Sequence, residues 1–265
     1  MCRHIVVLTS YTSDAAQRRA LIELHKRIKE LPYHAAHYSD PRCVVELPFP
    51  STNVVPPCFA VNTSSTFKYM GREKFTLVWD TWLKIKADTW HRQAIYVFGT
   101  GGYSKSHILA TLACLLIHSN ERVVYLPDCR AMFSQPLLYL RNALLFAFAG
   151  SEFCDYGRRI WECQNIEALG DFCQQYECEG GKLCFIIDQQ NALYLDPEGQ
   201  DAITDEEKSA LGSLLRRVAC GHVGIWGASA NQNTAAKFRY WRAKDCFARR
   251  HDKGKDSKKN HNINR

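Results

Sequence analysis

Short apolar runs alternate with longer amphipathic stretches from residue 94 onward, and this alternation predicts the main architecture of the chain. The apolar runs predict strands at 94–98, 123–126, 183–187 and 223–228. The stretches between them predict helices at 105–118, 135–149 and 208–218. Because continuous apolar strands are typical of parallel sheets buried on both faces, we predict an α/β fold in which helices cover both faces of a parallel sheet.

The first 66 residues show a weaker pattern. Residues 5–8 are apolar and predict a short strand, and Asp14 with Gln17 predicts a capped helix start. Pro32 ends that helix. Five of the nine prolines lie within 41–57, which predicts an extended linker without regular structure. We therefore expect a small N-terminal α/β extension and linker over 1–66, a main domain over 67–240 and a tail over 241–265.

Composition excludes several classes of protein. Hydrophobic residues make up 46% and charged residues 23% of the 265 residues, which argues against a disordered chain, a collagen and a coiled coil. The longest apolar stretch, 108–117, is too short to span a bilayer, and the first residues lack the apolar core of a secretory signal. We therefore expect neither a transmembrane segment nor a signal peptide, no contact with membranes, and an intracellular protein.

The basic charge of the chain is concentrated at its end. Residues 249–265 contain seven Lys or Arg and two Asp, so they carry +5 of the net +7. Such a tail could bind nucleic acid or a host protein, or act as a nuclear address. The alternative is an ordinary solvated terminus.

Twelve cysteines are scattered along the chain, and none forms a CxxC pair. The closest two, Cys173 and Cys178, are spaced unlike the ligands of structural zinc sites. The cysteines therefore favour free thiols in a reduced compartment over a metal centre or a disulfide framework.

The most informative stretch is VFGTGGYSKSH, residues 97–107, which lies between a predicted strand and a predicted helix. It follows the Walker A pattern GxxxxGK[ST], except that Ser104 replaces the second glycine. In that pattern Lys105 reaches the β- and γ-phosphates, the Ser106 hydroxyl binds Mg²⁺, and backbone N–H groups at the helix start face the phosphates. A glycine-rich turn without a ligand is the alternative. The predicted nucleotide-binding residues are Gly99, Thr100, Gly101, Gly102, Tyr103, Ser104, Lys105, Ser106 and His107.

A second element of such a site lies at residues 183–193, where five apolar residues end in Asp188. This is a Walker B pattern, in which the aspartate holds the water shell of the metal. Gln189 stands where many hydrolytic relatives place a glutamate. Because glutamine orients water but accepts no proton, we expect slow hydrolysis. Asn231 is a candidate sensor of the γ-phosphate or part of a simple turn, and Arg216 or Arg217 could complete the site of a second subunit.

These stretches carry a resemblance to a known family. Residues 67–75, 96–116, 122–149, 183–193 and 227–235 resemble the P-loop ATPase module of Crinkler proteins, which is similar to that of retrotransposon hot spot proteins. The resemblance covers roughly 67–240. Within it, the sequence around Gly71 and Arg72 is similar to the hhGRE element that packs against adenine in STAND-type ATPases; a turn with an exposed ion pair is the alternative.

The resemblance implies ATP or GTP at residues 99–106, Mg²⁺ at Ser106 and Asp188, and water positioned near Gln189. It also implies the sheet order of ATPases that insert one strand between the two Walker strands: 94–98, 223–228, 183–187, 123–126. Family members are secreted effectors that act in a host cell, frequently in its nucleus, and self-association through the ATPase module is a further expectation. The chain departs from the family in having no nuclease-sized segment after Ala236 and no LxLFLAK-type motif near its start.

Three functions therefore compete. The first is a slow NTPase that switches conformation with its nucleotide, and the second is a degenerate module that binds nucleotide or a partner without hydrolysis. The third is a nucleic-acid-binding protein that acts through its tail, although the chain contains no base-reading motif. Intact Lys105, Ser106 and Asp188 favour the first, whereas Ser104 and Gln189 favour the second.

Overall fold

The structure, a computed structural model, describes residues 3–31, 35–87, 94–99, 105–150, 153–194 and 202–229. Its helices are α1 (Arg3–Lys29), α2 (Glu73–Ala87), α3 (Lys105–His118), α4 (Cys129–Met132), α5 (Pro136–Ala147), α6 (Phe153–Glu162), α7 (Ile166–Cys178) and α8 (Asp205–Val218). Its strands are β1 (Val44–Pro48), β2 (Thr66–Met70), β3 (Ala94–Gly99), β4 (Val123–Leu126), β5 (Cys184–Ile187) and β6 (Val223–Ser229). Short 3₁₀ turns occupy Ala35–Tyr38 and Gln190–Leu193.

A four-stranded parallel sheet in the order β3-β6-β5-β4 forms the centre of the fold. Val97 of β3 pairs with Gly227 of β6, whereas Ile187 of β5 pairs with Trp226 of β6. Strand β6 therefore separates β3 from β5. The predicted α/β class and the predicted strand order are both confirmed.

Helices flank this sheet on opposite faces. The chain leaves β3 through α3 to reach β4 at the far edge, and β5 and β6 then step back toward β3. Parallel crossovers are right-handed, so a connection that runs back toward β3 places its helix on the opposite face from a connection that runs away from β3. Helices α7 and α8 therefore lie on the face opposite α3. Side-chain contacts agree, since Leu109 of α3 faces Gly227 while His222 Nε2 lies 3.0 Å from the Cys173 carbonyl oxygen of α7.

The N-terminal residues form one long helix, so the predicted strand at 5–8 and the predicted helix start at Asp14 are wrong. A four-residue apolar run does not distinguish a strand from a helix. No glycine or proline interrupts residues 3–29, and the helix continues through both predicted features. Leu21 and Ile28 of this helix are fully buried.

The prediction that 41–57 lacks regular structure is also wrong in part. Residues Val44–Pro48 form β1, which pairs antiparallel with β2. Pro48 is tolerated because it is the last residue of a strand in a two-stranded ribbon, where a missing N–H costs little. The partner strand begins only at Thr66, so this pairing is not visible in the local pattern around the prolines.

The ribbon and α1 share one hydrophobic core with the sheet, which extends from Leu21 to Trp226. Rings at the ribbon form an aromatic cluster that reaches the start of α3. Its members are Phe49, Phe59, Phe67 and His107, with ring centroids 4.9 Å apart for Phe49–Phe59, 5.2 Å for Phe59–Phe67 and 4.5 Å for Phe59–His107. This cluster brings residues 58 and 59 against residues 106 and 107. Among the described helices none is long and apolar enough to cross a membrane.

Candidate functional site

The candidate site lies at the carboxyl edge of the parallel sheet. Strand β3 ends at Gly99, β4 leads to Asp128 and β5 leads to Asp188. Because all strands run in the same direction, these ends meet at one edge, where ligands of open α/β sheets bind. Helix α3 begins at Lys105, so a strand end and a helix start flank residues 100–104, as the Walker A pattern predicts.

Several predicted site residues lie outside the described residues. They are Thr100, Gly101, Gly102, Tyr103, Ser104 and Asn231. The predicted tail at 241–265 lies outside them as well. Of the predicted phosphate-binding residues, the structure describes Gly99, Lys105, Ser106 and His107.

Lys105 and Ser106 lie next to Asp188. The Lys105 side chain is buried, and burial lowers its pKa while the nearby charge of Asp188 opposes that shift. The Ser106 side chain lies close enough to Asp188 to act as a hydrogen-bond donor that lowers the pKa of that carboxyl group. The structure thus brings the predicted phosphate-binding lysine and both predicted metal ligands into one cluster.

Asp188 is held firmly but is not fully satisfied. Its backbone N–H donates to the Leu126 carbonyl oxygen at 2.9 Å, and its Oδ1 accepts from the Gln189 N–H at 2.7 Å. Its Oδ2 is buried and has no hydrogen-bond partner. Burial raises the pKa of Asp188 to about 6, against the hydrogen bonds from Ser106 and the Gln189 N–H and the charge of Lys105. A buried carboxylate oxygen without a partner is costly, and a cation would satisfy it.

Glycine at position 227 makes room for this carboxylate. A Cβ at that position would lie 2.4 Å from Leu109 Cδ1 and 2.9 Å from Asp188 Oδ1. Both distances are shorter than ordinary contacts between nonbonded atoms, so the Leu109 and Asp188 side chains pack directly against the backbone of Gly227. The position of Asp188 therefore depends on the absence of a side chain at Gly227.

Gln189 turns the chain sharply away from the sheet. It has a left-handed backbone conformation, φ 55° and ψ 36°, which costs about 1–2 kcal/mol for a residue with a side chain. Its N–H is the donor to Asp188 Oδ1, and its side chain is half-buried. The predicted water-positioning residue thus also orients the predicted metal ligand through its backbone.

The predicted adenine-side residues lie on the ribbon side of α3. A Cβ at Gly71 would lie 2.2 Å from the Asp40 carbonyl oxygen, so only glycine fits there. The Arg72 N–H donates to the Tyr38 carbonyl oxygen at 2.9 Å. The charge of Arg72 adds to burial in lowering the pKa of His107, which places Arg72 toward the start of α3.

His107 follows Lys105 and Ser106 but makes a different kind of contact. Its ring is stacked on Phe59 with an interplanar angle of 27° and meets Phe67 edge-on at 5.9 Å. Burial lowers its pKa, which favours the neutral ring. His107 therefore anchors the start of α3 to the aromatic cluster.

Two further residues at this edge were not predicted. Asp128 follows β4, and its charge contributes to raising the pKa of Asp188. Burial raises the pKa of the Cys58 thiol, the charge of Asp188 adds to that rise, and the Ser106 side chain opposes it. Asp128 carries the same signal as Asp188, an apolar run that ends in an aspartate. The sequence around Cys58 contains no motif that predicts a site, because Cys58 comes to this edge through the long-range contacts of the aromatic cluster.

The donor set at this edge suits a hard cation with an open coordination shell. Ser106 and Asp188 offer oxygen atoms, which Mg²⁺ prefers, and the orphaned Asp188 Oδ2 is the best-placed donor. Within the described residues no three His, Cys, Asp or Glu side chains gather into a metal site. A cation bound here would therefore need water or phosphate oxygens as further ligands. The nine cysteines whose side chains the structure describes are free thiols.

The arginines considered for a second subunit lie on α8. Arg217 Nη2 is 3.1 Å from Asp171 Oδ1 of α7, and Arg216 Nη2 donates to Ser213 Oγ at 2.9 Å. The Arg217 side chain is about half exposed. Helix α8 lies on the face of the sheet opposite α3, so these arginines are not part of the cluster around Asp188.

Comparison of the chain with protein-family models and with curated proteins finds no match. The class that the structure defines is thus an α/β protein with a four-stranded parallel sheet flanked by helices.

Proposed function

We propose that this chain is a P-loop NTPase module that binds ATP or GTP with Mg²⁺ at the carboxyl edge of its sheet. The observation that carries the proposal is the Asp188 carboxyl group: it is buried, has one unpartnered oxygen, and lies with Ser106 and Lys105 at the start of α3. A buried group of this kind destabilises a fold unless a ligand uses it. Strand β3 ends at Gly99 and helix α3 begins at Lys105, so the phosphates would bind between these two ends.

Each residue has a separate task in this proposal. Lys105 places a positive charge beside the β- and γ-phosphates, and the first N–H groups of α3 point to the same phosphates. Ser106 Oγ and Asp188 Oδ2 would hold Mg²⁺, directly or through water. When bound, Mg²⁺ neutralises charge that develops on the phosphates. Gly227 and the Gln189 N–H keep the Asp188 carboxylate in position.

The proposed hydrolysis is weak and drives a conformational switch. Gln189 occupies the position next to Asp188 and provides an amide that orients water without accepting a proton. The left-handed backbone conformation of Gln189 fixes the position from which this side-chain amide extends. A second candidate function follows from the same observation: with no carboxylate at Gln189, the chain would bind nucleotide or a partner without hydrolysis.

The test is a titration with a fluorescent nucleotide, with and without Mg²⁺, on wild type and Lys105→Ala. One charge-assisted phosphate contact contributes about 1.5–3 kcal/mol, so we expect affinity to fall roughly 10- to 150-fold. Lys84→Ala, an exposed lysine on α2, is the matched control and should bind like wild type. Because Lys105 is buried, Lys105→Met tests the charge with its packing largely retained. Unchanged affinity in both Lys105 variants would show that nucleotide does not bind here.

The resemblance to Crinkler proteins extends the proposal to a secreted effector that acts in a host cell. Its basic tail would then contact nucleic acid or a host protein, and the module would self-associate. Expression of the tagged full chain, and of a chain lacking 249–265, in eukaryotic cells tests the nuclear part. Equal distribution of both chains between nucleus and cytoplasm would argue against a nuclear address.

A further inference from the structure

An apolar groove lies between the start of α5, the start of α7 and the first turns of α8. It has a volume of about 320 Å³, and Phe133, Ile166, Leu211 and Leu214 form the apolar part of its lining. Leu211 is buried, whereas the other three side chains are half-buried and pack against the hydrophobic core. The groove therefore leaves apolar side chains open to solvent.

The rim of this groove is acidic. Glu167 of α7 and Glu207 of α8 line it, and the described residues around it include no Lys or Arg. Glu207 Oε2 accepts a hydrogen bond from the Thr204 N–H at 2.8 Å, which lowers the pKa of Glu207 and keeps its side chain charged at neutral pH. An occupant of the groove should therefore combine apolar side chains with positive charge.

The groove opens at the carboxyl edge of the sheet. Helix α7 ends at Cys178, shortly before β5 begins at Cys184, and α8 ends at Val218, shortly before β6 begins at Val223. At 1.5 Å per residue, these helices of 13 and 14 residues extend about 20 Å back from the amino ends of the strands, so they start level with the carboxyl ends. Strand β6 ends at Ser229 on this same edge.

The chain that follows Ser229 carries a segment with the required chemistry. Residues 237–248, KFRYWRAKDCFA, contain four Lys or Arg and one Asp, for a charge of +3, together with the aromatic residues Phe238, Tyr240, Trp241 and Phe247. The groove lies within about two strand spacings and one helix diameter of Ser229, roughly 20 Å. The eight residues from Ser229 to Lys237 can span about 26–29 Å, so the segment can reach the groove.

We propose that residues 237–248 of this chain bind in the groove, with their aromatic side chains on its apolar lining and their Lys and Arg side chains beside Glu167 and Glu207. Groove and segment belong to one chain, and a short flexible linker gives an effective concentration in the millimolar range. A contact of modest affinity would therefore be formed most of the time. The inference does not depend on nucleotide binding, and the segment does not overlap residues 249–265.

The experiment measures binding of a fluorescein-labelled peptide of residues 237–248 to the full-length chain by fluorescence anisotropy under reducing conditions. A chain with Phe238→Ser, Tyr240→Ser and Trp241→Ser, the triple-serine chain, lacks a competing segment and should bind the peptide. Wild type should bind it at least about 10-fold more weakly, because its own segment competes. A peptide with the same three substitutions keeps the charge of +3 and should bind the triple-serine chain at least about 10-fold more weakly.

Two substitutions in the triple-serine chain test the groove itself. Leu214→Asp places a charge on the apolar lining and should weaken peptide binding at least about 10-fold. Leu77→Asp, at an exposed leucine on α2, is the matched control and should bind the peptide unchanged. Glu167→Lys changes the exposed rim and leaves the apolar packing intact, and it should weaken binding about two- to fivefold.

Three results would overturn the inference. They are equal peptide binding by wild type and the triple-serine chain, no binding by the triple-serine chain, and binding that neither Leu214→Asp nor Glu167→Lys weakens. Sedimentation of the same proteins tests a second copy as the occupant. A wild-type dimer that Leu214→Asp dissociates and the three serine substitutions leave intact would show that a second copy covers the groove, and would also overturn the inference.

Discussion

Asp128 and Asp188 each follow a buried strand of the parallel sheet, and their strands β4 and β5 are paired side by side. The Asp128 Oδ1 accepts hydrogen bonds from the N–H groups of Arg130 at 2.8 Å and Ala131 at 3.3 Å, which caps α4. The Asp188 Oδ1 accepts one short hydrogen bond, and its Oδ2 is buried without a partner. One aspartate therefore stabilises a helix start, while the other remains available to a ligand.

The difference arises in the residues that follow each aspartate. After Asp128 the chain enters a helix, whose first N–H groups lack partners within the helix and turn back to the carboxylate. After Asp188 the left-handed Gln189 directs the chain into a 3₁₀ turn, and the donor that the following residues give to the carboxylate is the Gln189 N–H. An apolar strand that ends in Asp thus marks a candidate ligand site only when the next residues leave an oxygen free.

The largest expected effect comes from adding a carboxylate next to Asp188. Gln189→Glu keeps the length of the side chain and the donor N–H, and supplies the proton acceptor that the site lacks. General-base assistance is worth about 10²–10⁴-fold, so we expect nucleotide turnover to rise by that order. The measurement is phosphate release by purified wild type, Gln189→Glu and Gln175→Glu, an exposed glutamine on α7 that serves as control. Wild-type turnover near ~10 s⁻¹ with no gain in the variant would contradict this account.

The second prediction concerns the stability of the nucleotide-free protein. Because the pKa of Asp188 rises from 3.8 to about 6 in the fold, the folded state binds more protons than the unfolded state between those pH values. The free energy of unfolding therefore falls as pH rises from about 4 to about 6, by about 3 kcal/mol. Asp188→Asn removes this penalty and should be more stable than wild type at pH 7.5, with no gain near pH 4.

Urea denaturation at both pH values measures this difference. Asp128→Asn is the matched control, because asparagine caps a helix as well as aspartate does, and it should show no such gain at pH 7.5. The same Asp188→Asn protein should lose the Mg²⁺-dependent part of nucleotide binding. An Asp188→Asn protein that is less stable than wild type at pH 7.5 would mean that the carboxylate stabilises the empty fold.

The third prediction tests the space beside Asp188. Gly227→Ala places a Cβ 2.4 Å from Leu109 Cδ1 and 2.9 Å from Asp188 Oδ1, and overpacking of this kind costs about 1–3 kcal/mol. Gly170→Ala on α7 adds the same methyl group where the nearest atom, Arg217 Nε, is 3.6 Å away. In a helix that change is favourable by about 0.5–1 kcal/mol. Equal urea midpoints for the two variants would show that the close packing around Asp188 is not required.

The sheet could be predicted from the sequence because each of its strands corresponds to a short apolar run of neighbouring residues. The four apolar runs are continuous, and the predicted strand at 123–126 and helix at 105–118 have the bounds that the structure gives. The parallel direction of the strands was enough to predict that Lys105, Ser106 and Asp188 share one edge. Helices α6 and α7, by contrast, were not predicted.

The rest of the molecule depends on contacts between distant residues. The ribbon pairs Val44 with Met70 across a proline-rich stretch, and the apolar run at 5–8 is part of a helix that continues to Lys29. Cys58 lies near Ser106, and the residue after it, Phe59, stacks on His107. None of these features leaves a periodic pattern in the local sequence, so the position of Cys58 near the site could not be predicted.

The smallest expected effect is at Asp128, where the comparison predicts a structural role. Asp128→Ala removes the acceptor for two N–H groups of α4, and loss of such a cap costs about 1 kcal/mol. It also removes a negative charge that raises the pKa of Asp188, so the alanine variant should bind Mg²⁺–nucleotide no more weakly than wild type. Urea denaturation and the fluorescent-nucleotide titration measure the two effects separately. If Asp128→Ala weakened nucleotide binding as much as Asp188→Asn does, both aspartates would belong to the site, and the cap would be only part of the role of Asp128.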